Sequence, residues 1–306
     1  MAYNAVILGS GPAGYSAAIY LSRAGHRPLL LTGMEFGGAI ARTMHLENYP
    51  GFPQKIDGVF LTEEMRRQAE VFGTEIMAAT VASVDFSKRP LVLKLDDGRE
   101  LETESVIVAT GSEHRALGLP NEKALLGNGV SYCATCDGFF FKGKDVFIVG
   151  GGNAAAHEAL HLSTICKSVT LVHRKPVLSA ETILQERLRE TGNINIILES
   201  TIEELVSKNG ALSAVRVKGA DGKIAEHHTP ALFISIGSVP RTEIFKGQLE
   251  LDAAGYIKCL PDLCSTSAKG VFAAGDVRSP RFRQAVIAAG SGAQAAMEAN
   301  DYLSSL

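Results

Sequence analysis

Ala5-Val6-Ile7-Leu8-Gly9-Ser10-Gly11-Pro12-Ala13-Gly14 is the stretch whose reading decides the fold. Four consecutive apolar residues read as a strand buried on both faces. The glycine-rich run that follows opens a segment whose apolar residues, Ala17, Ala18 and Leu21, recur at helical spacing until Gly25. Leu29-Leu30-Leu31 reads as the next strand. Strand, G-x-G-x-x-G and helix in that order form a dinucleotide fingerprint in its proper context. The glycines let backbone N–H groups and the positive helix N-terminus approach a pyrophosphate.

The same design returns at Val146-Phe147-Ile148-Val149 and Gly150-Gly151-Gly152-Asn153-Ala154-Ala155. A helix through about Cys166 follows, then a strand at Val169–Val172. Ala155 replaces the third glycine, where the main need is close helix–strand packing. Each unit continues into β-rich chain with hairpin signals: Asp97-Gly98 in the first, Asn209-Gly210 and Asp221-Gly222 in the second. Each then closes on an apolar strand ending in glycine, Val106–Gly111 and Leu232–Gly237. A last strand, Gly270–Asp276, precedes an Ala-rich helix from about Gln284 to Leu303, and this tail is expected to complete the first domain. The expected fold class is α/β, with two Rossmann-like, three-layer ββα dinucleotide-binding domains, the second inserted into the first. Residues 1–114 and 245–306 would form a discontinuous first dinucleotide-binding domain and 115–244 the second, inserted one, joined by linkers near 112–120 and 238–248.

The composition is that of an ordinary globular protein: 306 residues, 46% hydrophobic, 21% charged, net charge −3. The near-neutral balance gives no reason to expect nucleic-acid binding. No apolar run approaches the ~18 residues of a membrane span. The first strand starts too early to leave room for a signal peptide, so a cytoplasmic location is the expectation. Five cysteines are an odd, low count, unlike a secreted disulfide framework.

Between the two fingerprints lies Cys133-Ala134-Thr135-Cys136-Asp137. A C-x-x-C pair can close and reopen a small disulfide, and such motifs lower a thiol pKa from about 8.5 to about 7 or below. Structural zinc needs four ligands, usually two such pairs, and Cys259 and Cys264 have the wrong spacing for a second; no metal site is expected. Cys166 reads as a buried hydrophobe. Asp137 reads either as a turn residue or as proton donor and acceptor to the dithiol. The two fingerprints differ where their second strands end, the place where ribose is read. The first offers Thr32, Gly33, Met34 and Glu35, and an acid there suits adenosine ribose hydroxyls. The second offers His173-Arg174-Lys175, and bases there suit a 2′-phosphate.

GSGPAG at 9–14, GMEFGG at 33–38, ENYPG at 47–51, ATG at 109–111, CATCDGFF at 133–140, GGGN at 150–153, HRK at 173–175 and FAAGDV at 272–277 occur in order. With them the chain resembles the low-molecular-weight bacterial thioredoxin reductases, class II pyridine nucleotide-disulfide oxidoreductases, over essentially its whole length. The resemblance implies a homodimeric flavoenzyme that passes electrons from NADPH, with NADH possible, through FAD to the Cys133–Cys136 disulfide and on to thioredoxin. It implies that Cys136 faces the flavin, that Cys133 attacks the protein substrate and that Asp137 handles protons. FAD would be held by Gly9, Gly11, Pro12, Ala13, Gly14, Thr32, Gly33, Glu35, Gly37, Gly38, Asn48, Thr110, Gly111, Gly275 and Asp276. Arg283, Gln284 and Ala285 match the helix start near the isoalloxazine ring, whose positive end would stabilise an anionic reduced flavin. Gly150, Gly152, Asn153, Ala154, His173, Arg174 and Lys175 would hold the nicotinamide nucleotide. Phe139 and Phe140 would face the protein partner or pack in the core. One disulfide must meet both a flavin and a bulky protein, so one domain is expected to rotate against the other.

Several positions depart from the family pattern. The usual HRR-x-x-x-R run reads HRKPVLS, with Lys175 for the second arginine and Ser179 for the last. The usual I-G-H-x-P-N reads Ile236-Gly237-Ser238-Val239-Pro240-Arg241. His157 stands for a glutamate, Ala39 for a glutamine and Asn128 for a basic residue. Lysine lacks the bidentate fork of arginine, so weaker discrimination against NADH is expected. The alternative reading is a related flavoprotein with another donor, a ferredoxin or free flavin, or another acceptor, as in an oxidase of small dithiols.

Overall fold

Val6 and Leu8 bury one face of the first strand and Ala5 and Ile7 the other. This two-sided burial is what sandwiches a parallel sheet between layers. The computed structural model describes residues 2–43, 46–261 and 263–306. The chain divides into two compact units, residues 1–113 with 238–306, and residues 114–237.

In the first unit the strand order is Glu75–Met77, Leu29–Leu31, Ala2–Leu8, Glu100–Val108, Leu91–Leu95, Val81–Asp85, and Val271–Ala273 also pairs with Glu100–Val108. The first four of these strands and Val271–Ala273 run parallel; Val81–Asp85 and Leu91–Leu95 form an antiparallel meander onto the start of Glu100–Val108. Three helices cover one face: α1 (Pro12–Arg23), α2 (Gly58–Val71) and, from the far end of the chain, the Ala-rich Ala285–Ser304. Ala17, Ala18, Leu61, Met65, Ala295 and Ala299 meet Ala5, Ile7, Ile107 and Phe272 there. On the other face Val84, Leu91, Leu93 and Leu95 meet Val6, Leu8, Val106 and Val271. The closing strand and helix therefore belong with the first unit.

The second unit repeats the plan. Its parallel sheet runs Ile194–Ile197, Ser168–Val172, Asp145–Gly150, Leu232–Ser235, Val130–Ser131, matching the first unit's parallel run Glu75–Met77, Leu29–Leu31, Ala2–Leu8, Glu100–Val108, Val271–Ala273. Val146, Ile148, Val169 and Leu171 face the helices Asn153–Ser163 and Thr182–Glu190. Phe147, Val149, Val172 and Leu232 face an antiparallel three-stranded sheet, Thr201–Lys208, Ala211–Lys218 and Ile224–His228. Its first hairpin turns at Asn209 and Gly210, both at positive φ (54° and 80°), the geometry of a tight hairpin turn. The helix spans Asn153–Ser163, Cys166 N still donates to Leu162 O at 2.7 Å, and Asn193 Nδ2 donates to the carbonyls of Ser163 and Cys166 beside this end.

The two crossings between the units pair as a short ribbon, Ser112–His114 with Ser238–Pro240. The sequence reading gives residues 238–244 to the inserted domain, but the compact-unit boundary falls at 237/238. Bonds inside the first unit explain why: Ser238 Oγ pairs with the Tyr256 hydroxyl at 2.6 Å, Arg241 N donates to Gly111 O at 3.0 Å and Thr242 Oγ1 donates to Gly255 O at 2.7 Å.

The helix Ala285–Ser304 lies so close to α1 that a Cβ on Gly292 would sit 2.0 Å from the Ala13 carbonyl oxygen, whereas one on exposed Gly290 would meet nothing within 4 Å. Gly292→Ala is expected to cost about 1–3 kcal/mol, and Gly290→Ala to gain about 0.5–1 kcal/mol. Urea unfolding midpoints check the pair; equal effects would contradict this packing.

Candidate active site

The first fingerprint has no room for side chains where the strand turns into α1. Gly9 sits at φ +115°, and a Cβ there would lie 2.3 Å from the Ala109 carbonyl oxygen; one on Gly14 would lie 1.8 Å from that of Gly9. Gly11 differs, since an added Cβ would meet only Gly37 O, at 4.0 Å. Helix α1 has no side-chain cap, Pro12 opens it, and Tyr15 N is the first donor to reach back, to Gly11 O. The N–H groups of Ala13 and Gly14 precede that bond and so lie outside the helical ladder, which fits the pyrophosphate of a dinucleotide. Ser10, unmarked in the sequence reading, ties this loop to the next turn. Its buried hydroxyl accepts from Gly37 N at 3.1 Å and donates toward Thr32 O and Glu35 O, 3.4 Å each.

Glu35 reaches the turn as expected but is heavily engaged. Arg42 Nη2 lies 2.5 Å from both carboxylate oxygens, and Arg241 Nη2 lies 3.1 Å from Oε2. Arg42 first, then Arg241, holds its carboxyl below the usual carboxylate range. Arg241 also bonds Glu113. Thr110 and Gly111 meet the same residue, Thr110 Oγ1 donating to Arg241 O at 2.8 Å and Arg241 N donating to Gly111 O at 3.0 Å.

Gly275 and Asp276 stand where the last strand gives way to a single tight turn. Gly275 N donates to Ser291 Oγ, so the turn is pinned to the helix Ala285–Ser304. Burial pushes the Asp276 carboxyl up to about 6, against the opposing pull of Arg283. Gln284 is the N-cap of that helix and no side chain caps it, so its first N–H groups are open to an anion. Asn48 Nδ2 donates to Gln284 Oε1 at 3.2 Å, bringing two expected site residues together.

In the second unit Cys133 and Cys136 form a disulfide with Cα atoms 5.3 Å apart. The pair brackets a one-turn helix, Ala134–Asp137, of which Cys133 is the N-cap, and Cys136 N donates to Cys133 Sγ at 3.1 Å. Ala134 is fully buried and anchors the turn, Thr135 is exposed, and both cysteines are half-buried. Ser131, a second residue that sequence reasoning missed, organises the motif. Its hydroxyl donates to Asp137 Oδ2 at 2.6 Å and accepts from Cys133 N at 3.0 Å. Phe139 and Phe140 are exposed. The free cysteines are unlike this pair: burial pushes the thiols of Cys166 and Cys264 up to about 11 and about 12, and that of Cys259 up as well, which suppresses their thiolates.

The second fingerprint is equally tight. A Cβ on Gly150 would lie 2.3 Å from Ser235 O, and one on Gly151 would lie 2.2 Å from the His173 ring. His173 is therefore turned inward as a prop beneath the loop; burial lowers its pKa, and its Nε2 is buried without a partner among the described residues. Arg174 and Lys175 are exposed and, among the described residues, in no ion pair. Ser179 folds onto the loop, its N and Oγ donating to Gly151 O at 2.7 and 3.1 Å. Asn153 is held by Glu181 through two 2.8 Å bonds. The uncapped helix start after Gly152, with two exposed cations in no ion pair among the described residues, fits a phosphorylated nucleotide.

A family model described as "Pyridine nucleotide-disulphide oxidoreductase" matches residues 3–292. The chain is 44% identical to a thioredoxin reductase of Rickettsia conorii over 97% of each chain. It is 45% identical to one of Streptomyces coelicolor, covering 99% of this chain and 94% of that one. The solved thioredoxin reductase from Giardia duodenalis superposes with a TM-score of 0.94 at 36% identity, covering 99% of each chain.

Asp276 gives the site a pH signature. Its folded pKa, about 6, lies above its ordinary 3.8, so between these values the folded state binds more protons than the unfolded one. Stability therefore falls as pH rises through that window. Flavin-free protein is expected to lose roughly 2–3 kcal/mol relative to Asp276→Asn between about pH 4 and pH 7. Urea midpoints at both pH values check this; an unchanged difference would contradict it.

Proposed function

Because the chain belongs to the pyridine nucleotide-disulphide oxidoreductases and, within them, to the thioredoxin reductases, we propose that it reduces thioredoxin with electrons from NADPH. The observation that carries this reading is the half-buried Cys133–Cys136 disulfide, closed on a single helical turn with an acid pinned beside it. FAD, when bound, supplies the relay of electron pairs between nicotinamide and disulfide. The first fingerprint, the Glu35 turn, Asn48, Thr110-Gly111, Asp276 and the helix start at Arg283–Ala285 would hold it. Gly150, Gly152, Asn153 and Ala154 would hold the pyridine nucleotide, over the prop of His173, with Arg174 and Lys175 at the 2′-phosphate.

In the reduced protein the Cys136 N–H stabilises the Cys133 sulfur as thiolate. That thiolate attacks one sulfur of the thioredoxin disulfide, and the other leaves as a thiolate. Cys136 then attacks Cys133, which closes the internal disulfide and releases the second thioredoxin sulfur. Asp137, held by Ser131, would pass the proton of the Cys136 thiol to one leaving sulfur, and solvent supplies the other. Exposed Phe139 and Phe140 offer the protein partner an apolar contact beside the disulfide. Loading and delivery make different demands on one disulfide, and the reading includes rotation about the paired crossings Ser112–His114 and Ser238–Pro240. We read the enzyme as a cytoplasmic homodimer; no described helix is long and apolar enough to cross a membrane.

Cys136→Ser protein mixed with oxidised thioredoxin is expected to accumulate a mixed disulfide through Cys133, visible on non-reducing gels, and Cys133→Ser none. An adduct with Cys133→Ser alone would reverse the assignment. Ser179 sets the donor preference. Ser179→Arg should raise the ratio of kcat/KM for NADPH over NADH by about tenfold, the worth of one charge-assisted bond. A native preference already above several hundredfold would contradict the weak-discrimination reading.

A further inference from the structure

Arg241 stands where the resembling family has asparagine, and the proposed mechanism leaves it without a task. Its surroundings are specific. The guanidinium bridges two carboxylates that lie far apart in sequence, Glu35 in the ribose turn and Glu113 at the outgoing crossing. Its main chain is fixed as well, by Thr110 Oγ1 and Gly111 O at the end of the strand Glu100–Val108. Arg42 approaches Glu35 from the other side. Three of the carboxylate's roughly four acceptor positions are thereby filled, which leaves one for an incoming hydroxyl.

We propose that Arg241 is a positioning residue, which orients the Glu35 carboxylate toward the adenosine ribose of FAD and ties the return crossing to that turn. This rests on the reading that FAD occupies the first fingerprint. Arg241 Nη2 meets both carboxylates while its Nε adds a second bond to Glu113; a lysine ammonium could bridge the pair but without that planar two-point hold, and asparagine carries no charge. Because these side chains are partly exposed, the arrangement is sensitive to salt.

FAD release from holoenzyme, followed by the rise of flavin fluorescence on dilution, tests it. Arg241→Asn is expected to release FAD about three- to tenfold faster than wild type at low salt. High salt should bring the wild-type rate toward that of the variant, and Arg241→Lys should fall between them. In a Glu35→Gln background the Arg241→Asn effect should largely vanish, as for residues that act through one contact. Unchanged release in Arg241→Asn, or the same acceleration with Glu35→Gln present, would overturn the inference alone. Wild-type protein that takes up no FAD would overturn the reading beneath it, and the inference with it.

Discussion

Both halves of the molecule depend on one steric constraint, a strand-to-helix turn with no room for a Cβ. At Gly9 and Gly14 the strand end, the neighbouring strand and the helix start approach to distances at which only glycine fits. That approach fixes the uncapped start of α1 at the end of the first strand, with its first N–H groups outside the helical ladder. The second copy relaxes the constraint slightly. Ala155 occupies the Gly14 position and packs fully buried against Gly150, while the close contact shifts to Ser235 and to the His173 ring over Gly151. One backbone solution thus recurs in both units, with different chemistry at the second strand end, an acid in one and bases in the other.

Around the cradles the chain spends polar groups on holding functional ones still. Ser10 joins the first loop to the ribose turn, Ser131 joins Asp137 to Cys133, and Ser179 seals the second loop. Each is a short hydroxyl bonded to at least one backbone group, so each fixes a loop without adding charge. Charge appears where ligand charge is expected, as the Arg42–Glu35–Arg241–Glu113 chain and as an Asp276 whose carboxyl burial drives toward the neutral form.

The architecture was legible because its signals are short-range. Apolar runs such as Ala5–Leu8 and Val146–Val149, the glycine spacing and the Asn209-Gly210 turn each act over a few residues, and the structure has strands and turns there. The redox pair was legible for the same reason. The serines and Arg241 were not, because their roles lie in partners that only the folded chain supplies. Arg241 and Glu35 are 206 positions apart, and a lone Ser10 or Ser131 looks like any polar residue beside a strand. His173 shows the reverse case: it lies in the basic run that suggested phosphate, yet packing against Gly151 turns it into a support.

The central claim is that the Cys133–Cys136 disulfide is an electron store in series with a flavin. Anaerobic titration of the holoenzyme with NADPH, followed by flavin absorbance, measures it. Full reduction of the native chain should consume two electron pairs per subunit, and of a variant with both cysteines changed to serine only one. The reduced native protein should then return both pairs to added thioredoxin. Equal consumption by native protein and variant would contradict the account.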